Sequence, residues 1–176
     1  MGDLSLGEFE AFFHYYECDI FSYLARMTGD EAAAYDLSQE TFIRAWRSFD
    51  KIRGYNQPRA WLFRVASNLA LNHLRQRRGA LGGATSLEHM IDPASSDPAW
   101  RLAERDAVRA TLLDLAPRQR AALVLREVYG LSCVEVGQTL GISTAAAKMA
   151  LLRARVTFKA RYQRADASDI WPGPRS

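Results

Sequence analysis

Hydrophobic positions recur along most of this chain every three or four residues, which is the period of an amphipathic α-helix. Alternating apolar and polar runs and Asn-Gly hairpin turns, the usual signals of strands, are almost absent. The helical pattern breaks between residues 79 and 101, where glycine, proline, serine and alanine accumulate. The pattern therefore predicts an all-α protein: two small helical domains, 1–78 and 102–164, joined by a flexible linker, 79–101, and followed by a disordered tail, 165–176. The first domain is expected to begin with a pair of helices over residues 6–27.

The segment 30–50 predicts a helix with two chemically different faces. Its core face is a stripe at spacings of four, formed by Leu37, Thr41, Ala45 and Phe49. The opposite face carries carboxylates, an amide, one isoleucine and one arginine, namely Asp36, Gln39, Glu40, Ile43 and Arg47. Such a face suits docking of a basic partner helix. A solvated face with one stray apolar residue is the alternative that the pattern leaves open.

Residues 51–78 carry seven basic side chains and no acidic one, whereas residues 1–50 have a net charge of −7. Gly54 and Asn56 mark a loop, and Pro58 suits the first position of the helix that follows. One face of that helix combines an aromatic ring with guanidinium and amide groups at spacings of three and four, namely Trp61, Arg64, Asn68, Asn72 and Arg75. This combination suits stacking on unpaired bases while the arginines hold phosphates. Alternatively, Trp61 half-buries its ring against a neighbouring helix.

The second domain contains the pattern of a helix-turn-helix. Ser132 and Glu135 form a capping box that starts a short helix. Gly137 permits close crossing of two helices, and Gly141 suits a turn that needs positive φ. The wedge between the two helices is filled by Val136, Leu140 and Ile142. The second helix is basic, with six basic and no acidic residues over 148–164, which indicates DNA binding rather than an ordinary helical hairpin.

Several other classes of protein are disfavoured. Cys18 and Cys133 lie far apart and the three histidines are scattered, so we expect neither a metal site nor a cofactor. The acidic N-terminus has no signal-peptide pattern, and no apolar run approaches the ~18 residues of a membrane span. The expectation is a soluble, cytoplasmic protein without membrane contact of its own. No Glu-x-x-His motif supports a di-iron helical enzyme.

Two long segments resemble one known family. "LDLAPRQRAALVLREVYGLSCVEVGQTLGIS" closely resembles the promoter-reading C-terminal domain of bacterial sigma-70 family RNA polymerase sigma factors. "DLSQETFIRAWRSFDKIRGYNQPRAWLFRVASNLALNHLRQRR" resembles their central domain. The short length and the absence of a domain between the two resemble the extracytoplasmic-function (ECF) group. The resemblance implies a transcription initiation factor that is not itself an enzyme and that binds core RNA polymerase, promoter DNA and, usually, an anti-sigma factor.

The resemblance also implies roles for individual residues of the first domain. In the family, one helix of this domain binds the β′ clamp helices of the polymerase. The implied binding residues of this chain include the acidic stripe and are Asp36, Gln39, Glu40, Phe42 and Ile43. The loop matching residues 49–58 captures a flipped-out base of the minus-ten element, and the following helix supports melting. The implied minus-ten residues are Lys51, Arg53, Tyr55, Asn56, Arg59, Trp61, Arg64, Asn68 and Arg75.

For the second domain, the resemblance implies major-groove reading of the minus-thirty-five element and docking on the β flap. The implied DNA-binding residues are Ser143, Thr144, Lys148, Arg153 and Arg155. The recognition helix departs from the family pattern, because Met149 and Ala150 replace a serine and an arginine. In the first domain, the helix over residues 59–78 departs from it at Asn72, where an acid is common. Since alanine and methionine side chains cannot hydrogen-bond bases, we expect shallow minus-thirty-five discrimination. Met149 and Ala150 facing the core is the alternative.

The sequence also permits a second function. A helix-turn-helix regulator with a helical sensing domain would also contain the second half of this chain. Such a sensing domain, however, needs neither the acidic stripe of 30–50 nor the basic, aromatic segment 51–78.

Overall fold

The computed structural model describes residues 2–55, 57–80 and 99–168, and all regular secondary structure in these ranges is helical. The helices in chain order are α1 (Gly2–Thr28), α2 (Glu31–Arg47), α3 (Phe49–Ile52), α4 (Pro58–Ala80), α5 (Ala99–Leu113), α6 (Pro117–Glu127), α7 (Cys133–Leu140) and α8 (Thr144–Ser168). The all-α prediction is confirmed for these residues. Asn56, the centre of the predicted linker (81–98) and the end of the predicted tail (169–176) lie outside them.

Three boundaries differ from the sequence prediction. The predicted helix pair over 6–27 is a single helix, α1, because residues 8–28 contain no glycine or proline and their aromatic side chains recur at helical spacing. α4 extends to Ala80 and α5 begins at Ala99, so both helices reach into the predicted linker. α8 continues to Ser168, four residues into the predicted tail, since no helix breaker intervenes.

The first half packs α1 against α2 and α4. Tyr23 of α1 and Phe63 of α4 are fully buried and meet edge to face, with ring centroids 5.3 Å apart. The Tyr23 hydroxyl lies 2.6 Å from Ser67 Oγ, and either group can donate the hydrogen bond. Burial raises the pKa of Tyr23, so its hydroxyl stays protonated and the bond persists at physiological pH. These contacts fix the rotation of α4 about its own axis, so that its polar face points to solvent.

Local chemistry defines the helix-turn-helix formed by α7 and α8. Ser132 Oγ accepts a hydrogen bond from Glu135 N at 3.2 Å, and Ser132 N donates to Glu135 Oε2 at 2.7 Å, which completes the capping box. Gly141 ends α7 with φ +64°. A Cβ at Gly137 would lie 2.9 Å from the Ile142 carbonyl oxygen. The predicted roles of both glycines are therefore confirmed.

The two halves of the chain share one hydrophobic core. Leu125, Tyr129 and Val136 belong to the same buried cluster as Tyr23 and Phe63. α7 packs against α4, while α5 and α6 pack against α1. This direct contact between the halves was not predicted from the sequence pattern, which describes each half separately.

Candidate nucleic-acid and partner interfaces

The solvent side of α2 carries the predicted acidic stripe. Asp36, Gln39 and Ile43 are exposed, and Glu40 is partly exposed. Arg44 Nε donates a hydrogen bond to Glu40 Oε1 at 2.7 Å. An exposed ion pair at this spacing contributes only about 0.3–0.5 kcal/mol to stability. Glu40 therefore stays available to pair with a basic group of a partner protein.

Phe42 is placed differently from the rest of the predicted docking set. It is buried, and its ring packs edge on against Phe13 with centroids 4.7 Å apart. Phe42 therefore anchors α2 to α1 and does not contribute to the exposed stripe. The spacing of four from Gln39 to Ile43 would have suggested this division, because Phe42 lies about 100° away from Ile43 around the helix.

Two exposed aromatic residues extend the stripe but were missed in the sequence analysis. Tyr35 and Trp46 are 58% and 44% exposed, and they lie at helical spacing from Gln39 and Ile43. The acidic, amide and apolar members, here called the α2 face, are Tyr35, Asp36, Gln39, Glu40, Ile43 and Trp46; the exposed Arg44 and Arg47 lie beside them. The clustering of apolar area beside carboxylates is typical of a protein-binding surface rather than of a solvated face.

Two basic side chains lie at the end of α3 and in the loop toward α4. Lys51 in the last turn of α3, and Arg53 and Tyr55 in the loop, are all exposed. The Arg53 guanidinium lies 3.3 Å from Glu8 Oε2 and 3.5 Å from Asp50 Oδ1. Both carboxylates are exposed, so these ion pairs are weak and can exchange for phosphate.

One face of α4 carries guanidinium and amide groups to solvent. This set, the α4 basic face, consists of Arg64, Asn68, Asn72 and Arg75, all of which are exposed. Arg75 Nη2 donates to Asn72 Oδ1 at 2.9 Å. Trp61 lies one turn before this face, but it is partly buried and packs against the hydrophobic core. Its placement in the free protein matches the alternative in which the ring is half-buried.

Arg59 lies on the other side of α4. It precedes the buried Phe63 by one turn, and its guanidinium carbon lies 5.4 Å from the Phe63 ring centroid and 5.8 Å from that of Tyr129. Its Nη2 atom is 3.9 Å from Asp19 Oδ2. The structure therefore does not bring Arg59 together with the α4 basic face, and instead places it at the contact between the two halves.

The exposed face of α8 is mostly apolar around one lysine. Lys148, Met149, Leu152 and Val156 are exposed, with Met149 and Leu152 at 47% and 55%. Ala150, in contrast, packs against the core. The alternative that both residues face the core is therefore wrong for Met149. It is correct for Ala150. Leu152 and Val156 were missed in the sequence analysis, although they lie at helical spacing from Met149.

The other residues predicted to bind the minus-thirty-five element have distinct positions. Ser143 Oγ accepts a hydrogen bond from Ala146 N at 3.1 Å and so caps α8. Thr144 is partly exposed and Arg153 is exposed. Arg155 is exposed but paired, since its Nε and Nη2 atoms donate to Glu127 Oε1 at 3.0 and 2.6 Å. Together with Lys148, the two arginines give α8 a positive margin beside its apolar face.

Comparison with known proteins identifies the family. Residues 12–80 match the family described as Sigma-70 region 2, and residues 105–158 match Sigma-70 region 4. The ECF RNA polymerase sigma factor SigM of Bacillus subtilis is 31% identical over 85% of this chain and 91% of its own length. The chain belongs to the ECF sigma factor family. Region 2 contains the α2 face and the α4 basic face, and region 4 contains the helix-turn-helix.

Two further comparisons define the extent of the likeness to ECF sigma factors. SigG of Mycobacterium tuberculosis is 34% identical over 85% of this chain but only 47% of its own length, so the chain spans about half of that protein. The sigma factor RpoE of Bartonella quintana, solved with the anti-sigma factor NepR, superposes with a TM-score of 0.75 at 22% identity, covering 89% of this chain and 97% of that one. The second comparison shows a shared fold.

No helix in the described part of this ECF sigma factor is long and apolar enough to cross a membrane. Across the same residues, no group of three or more His, Cys, Asp and Glu side chains could hold a metal ion.

Proposed function

We propose that this ECF sigma factor binds core RNA polymerase, directs it to a promoter and helps to open the duplex. The observation that supports the proposal is the occurrence of three differently built surfaces in one chain. The α2 face is acidic and apolar, the α4 basic face is cationic and amide-rich, and the exposed face of α8 belongs to the second helix of a helix-turn-helix. A regulator with a sensing domain explains the third surface but not the other two.

The α2 face supports docking on a basic partner helix, as the family resemblance implies for the β′ clamp helices. Ile43, Tyr35 and Trp46 would bury apolar area, and each fully buried side chain of this size contributes about 1.5–3 kcal/mol. Asp36 and Glu40 would supply charge complementarity, which governs the rate and the specificity of association. Phe42, being buried, acts in docking only by holding α2 in place.

The loop after α3 and the α4 basic face support minus-ten recognition. Tyr55 is exposed beside Lys51 and Arg53, which suits stacking on a base whose phosphates are neutralised nearby. Arg64 and Arg75 would hold the backbone of the displaced strand. In the free protein Trp61 is only partly exposed, so its predicted stacking role requires that the ring turn outward when the strand binds.

The face of α8 supports a minus-thirty-five reader that relies on few hydrogen bonds. Lys148 is the basic side chain nearest the start of the helix on this face, and Met149 and Leu152 suit contact with thymine methyl groups. Arg153 and Arg155 suit phosphates. We therefore expect the preference at this element to be shallow, with DNA shape carrying part of it.

The proposed partners are core polymerase through the β′ clamp helices and the β flap, promoter DNA, and an anti-sigma factor as the family resemblance implies. A protein with these partners acts in the cytoplasm, as a transcription initiation factor and not as an enzyme. No cofactor is proposed.

The docking assignment can be tested by charge reversal on the α2 face. Asp36→Arg with Glu40→Arg should reduce the affinity for core polymerase by at least a hundredfold in competition with the unmodified protein. Juxtaposed like charges in an interface cost several kcal/mol, whereas the same changes on a solvated face cost almost nothing. The circular dichroism spectrum should stay unchanged.

The matched control is Glu10→Arg with Glu104→Arg, which changes the net charge equally at two exposed positions outside the α2 face. The control should compete normally. Equal competition by both variants would exclude the α2 face as the docking surface.

A further inference from the structure

The charged side chains on the solvent side of α2 are divided between its two ends. The acidic residues occupy the first part of the helix and are Glu31, Asp36 and Glu40, whereas the basic residues lie in its last turn and are Arg44 and Arg47. Glu40 is partly exposed and the other four are exposed. The solvent side of α2 is therefore negative where the helix begins and positive where it ends.

Exposed apolar side chains are spread along the same side of α2. Tyr35 lies toward one end, Trp46 at the other, and Ile43 between them. The Trp46 ring packs edge on against Phe9 of α1, with centroids 4.9 Å apart, so its orientation is already fixed in the free protein. Burial of a fixed ring costs less side-chain entropy than burial of a mobile one, which makes this surface suitable for association.

Helical geometry sorts these residues into three lines that run along α2. At 100° per residue, Tyr35 and Trp46 lie about 20° apart and form one margin of the exposed surface. Glu40 and Arg44 lie about 40° apart and form the other margin. The centre, which spans about 40°, is formed by Asp36, Ile43 and Arg47.

Each line is complementary to itself when the helix direction is reversed. A two-fold axis perpendicular to two antiparallel copies of α2 places each margin against the same margin of the second copy, in the opposite order. Tyr35 then opposes the partner's Trp46. Asp36 opposes the partner's Arg47, and Glu40 opposes the partner's Arg44. By symmetry, each of these pairs occurs twice.

A single axis satisfies all three pairs. The midpoints between the paired positions 35 and 46, 36 and 47, and 40 and 44 all fall between positions 40 and 42. At 1.5 Å of rise per residue, opposed side chains are level to within about 3 Å, which is less than the reach of arginine and glutamate. A parallel arrangement would instead place carboxylate against carboxylate and guanidinium against guanidinium, which is unfavourable.

The ion pair within α2 does not compete with this arrangement. Arg44 uses its Nε atom to donate to Glu40 Oε1 at 2.7 Å. A guanidinium group has five N–H donors, so the Nη atoms of Arg44 can still donate to the partner's Glu40. Two copies of the pair would then form one alternating network of four charges about the axis, and networks contribute more than isolated exposed pairs.

We propose that the α2 face, together with Arg44 and Arg47, binds a second copy of this chain and forms an antiparallel dimer with two-fold symmetry. The contact is one helix of 17 residues on each side, about 25 Å long, which places it among small, transient interfaces. We expect a dissociation constant on the order of 10–100 μM. The dimer does not depend on the proposed function, but it covers the surface to which polymerase docking is assigned.

The test is sedimentation equilibrium of the full chain over concentrations from about 1 to 300 μM, which bracket the expected dissociation constant. The unmodified protein should pass from monomer to dimer, without larger species, because a two-fold contact is closed. Asp36→Arg with Glu40→Arg makes the face uniformly basic, and Arg44→Glu with Arg47→Glu makes it uniformly acidic. Each variant alone should dimerise at least tenfold more weakly, since like charges then oppose each other.

An equimolar mixture of the two variants provides the decisive arm. A uniformly basic face opposite a uniformly acidic one restores all four charge pairs, so the mixture should form a one-to-one heterodimer at least as tightly as the unmodified protein dimerises. Circular dichroism should show unchanged helicity for both variants. If Arg44→Glu with Arg47→Glu loses helicity, Arg44→Gln with Arg47→Gln removes the same charges without adding acids near the end of α2 and should still weaken dimerisation.

The matched control is Arg118→Glu with Arg153→Glu, which changes the net charge as much as the acidic-face variant does, at two exposed positions of the second half. The control should dimerise like the unmodified protein, because its α2 face is intact. Mixed with the basic-face variant, it should not form a heterodimer, since two of the four opposed pairs would then be arginine against arginine.

Three results would overturn the inference. They are a monomeric unmodified protein at all concentrations, a dimer that persists in both single-face variants, and a mixture of these variants that stays monomeric. Normal binding of the unmodified protein to core polymerase beside any of these results would leave the proposed function intact. Conversely, dimerisation as predicted, with normal core binding by Asp36→Arg with Glu40→Arg, would support the dimer and refute the docking assignment.

Discussion

Substitution of Gly137 by alanine gives a prediction whose sign depends on the structure. In an ordinary helix interior, alanine in place of glycine stabilises by about 0.5–1 kcal/mol. At Gly137, however, the added Cβ would lie 2.9 Å from the Ile142 carbonyl oxygen and 3.4 Å from Thr144 N, and both atoms belong to the backbone of the turn. The turn cannot yield without stretching the hydrogen bond from Ile142 N to Gly137 O, now 2.9 Å long.

The net expectation for Gly137→Ala is a loss of about 1–3 kcal/mol, since overpacking against fixed atoms outweighs the gain in helix propensity. Because the turn also orients α8, binding to a duplex carrying the minus-thirty-five element should weaken at least tenfold. Urea unfolding monitored by circular dichroism measures the first effect, and fluorescence anisotropy with the labelled duplex measures the second.

The matched control is Gly7→Ala in α1, where an added Cβ meets nothing within 4 Å. This change should stabilise the protein slightly and leave DNA binding unaltered. If Gly137→Ala stabilises the protein as much as Gly7→Ala and binds the duplex normally, the close crossing of α7 and α8 does not restrict the side chain at position 137.

The remaining predictions concern DNA. Trp61→Ala should reduce open-complex formation tenfold or more, because base stacking is worth ~1–3 kcal/mol per base. A pre-melted bubble template should rescue much of this loss. If the variant instead unfolds the first half of the chain, the ring acts only in the core. Lys148→Ala should cost ~1–3 kcal/mol and relax preference at one or two positions in a binding-site selection, whereas Arg155→Ala should weaken binding to every sequence and flatten the salt dependence. Glu127→Gln should strengthen DNA binding by releasing Arg155, and an unchanged affinity would show that the pair does not compete with phosphate for Arg155.

Features that depend on neighbouring residues could be predicted from the sequence. The capping box of Ser132 and Glu135, the positive φ of Gly141 and the close approach at Gly137 are consequences of local backbone chemistry, and each is present in the structure. The exposed stripe of Asp36, Gln39 and Ile43 follows from helical periodicity in the same way. Its aromatic extension was equally regular but was overlooked.

Features that depend on distant residues could not be predicted. Periodicity assigns Arg59 to a basic segment, but only the folded chain shows that it faces Asp19 and Tyr129, from α1 and the second half. Phe42 occupies a position of the family motif, yet packing against Phe13 buries it. The contact between the halves has no local signal, because Arg109 and Tyr129 look like ordinary residues of the second half until their acceptors in the first, the carbonyls of Gly29 and Asp19, are known.

The measurement that tests the central claim most directly is transcription by purified core RNA polymerase on a linear promoter template. A sigma factor must convert the core enzyme, which starts poorly on intact duplex, into one that starts at a defined position. We predict specific transcripts when this protein is added and none when the variant Asp36→Arg with Glu40→Arg replaces it. The promoter would come from a library selected with the complex. Binding of the protein to DNA without core binding and without specific transcripts would contradict the account and would favour a helix-turn-helix regulator.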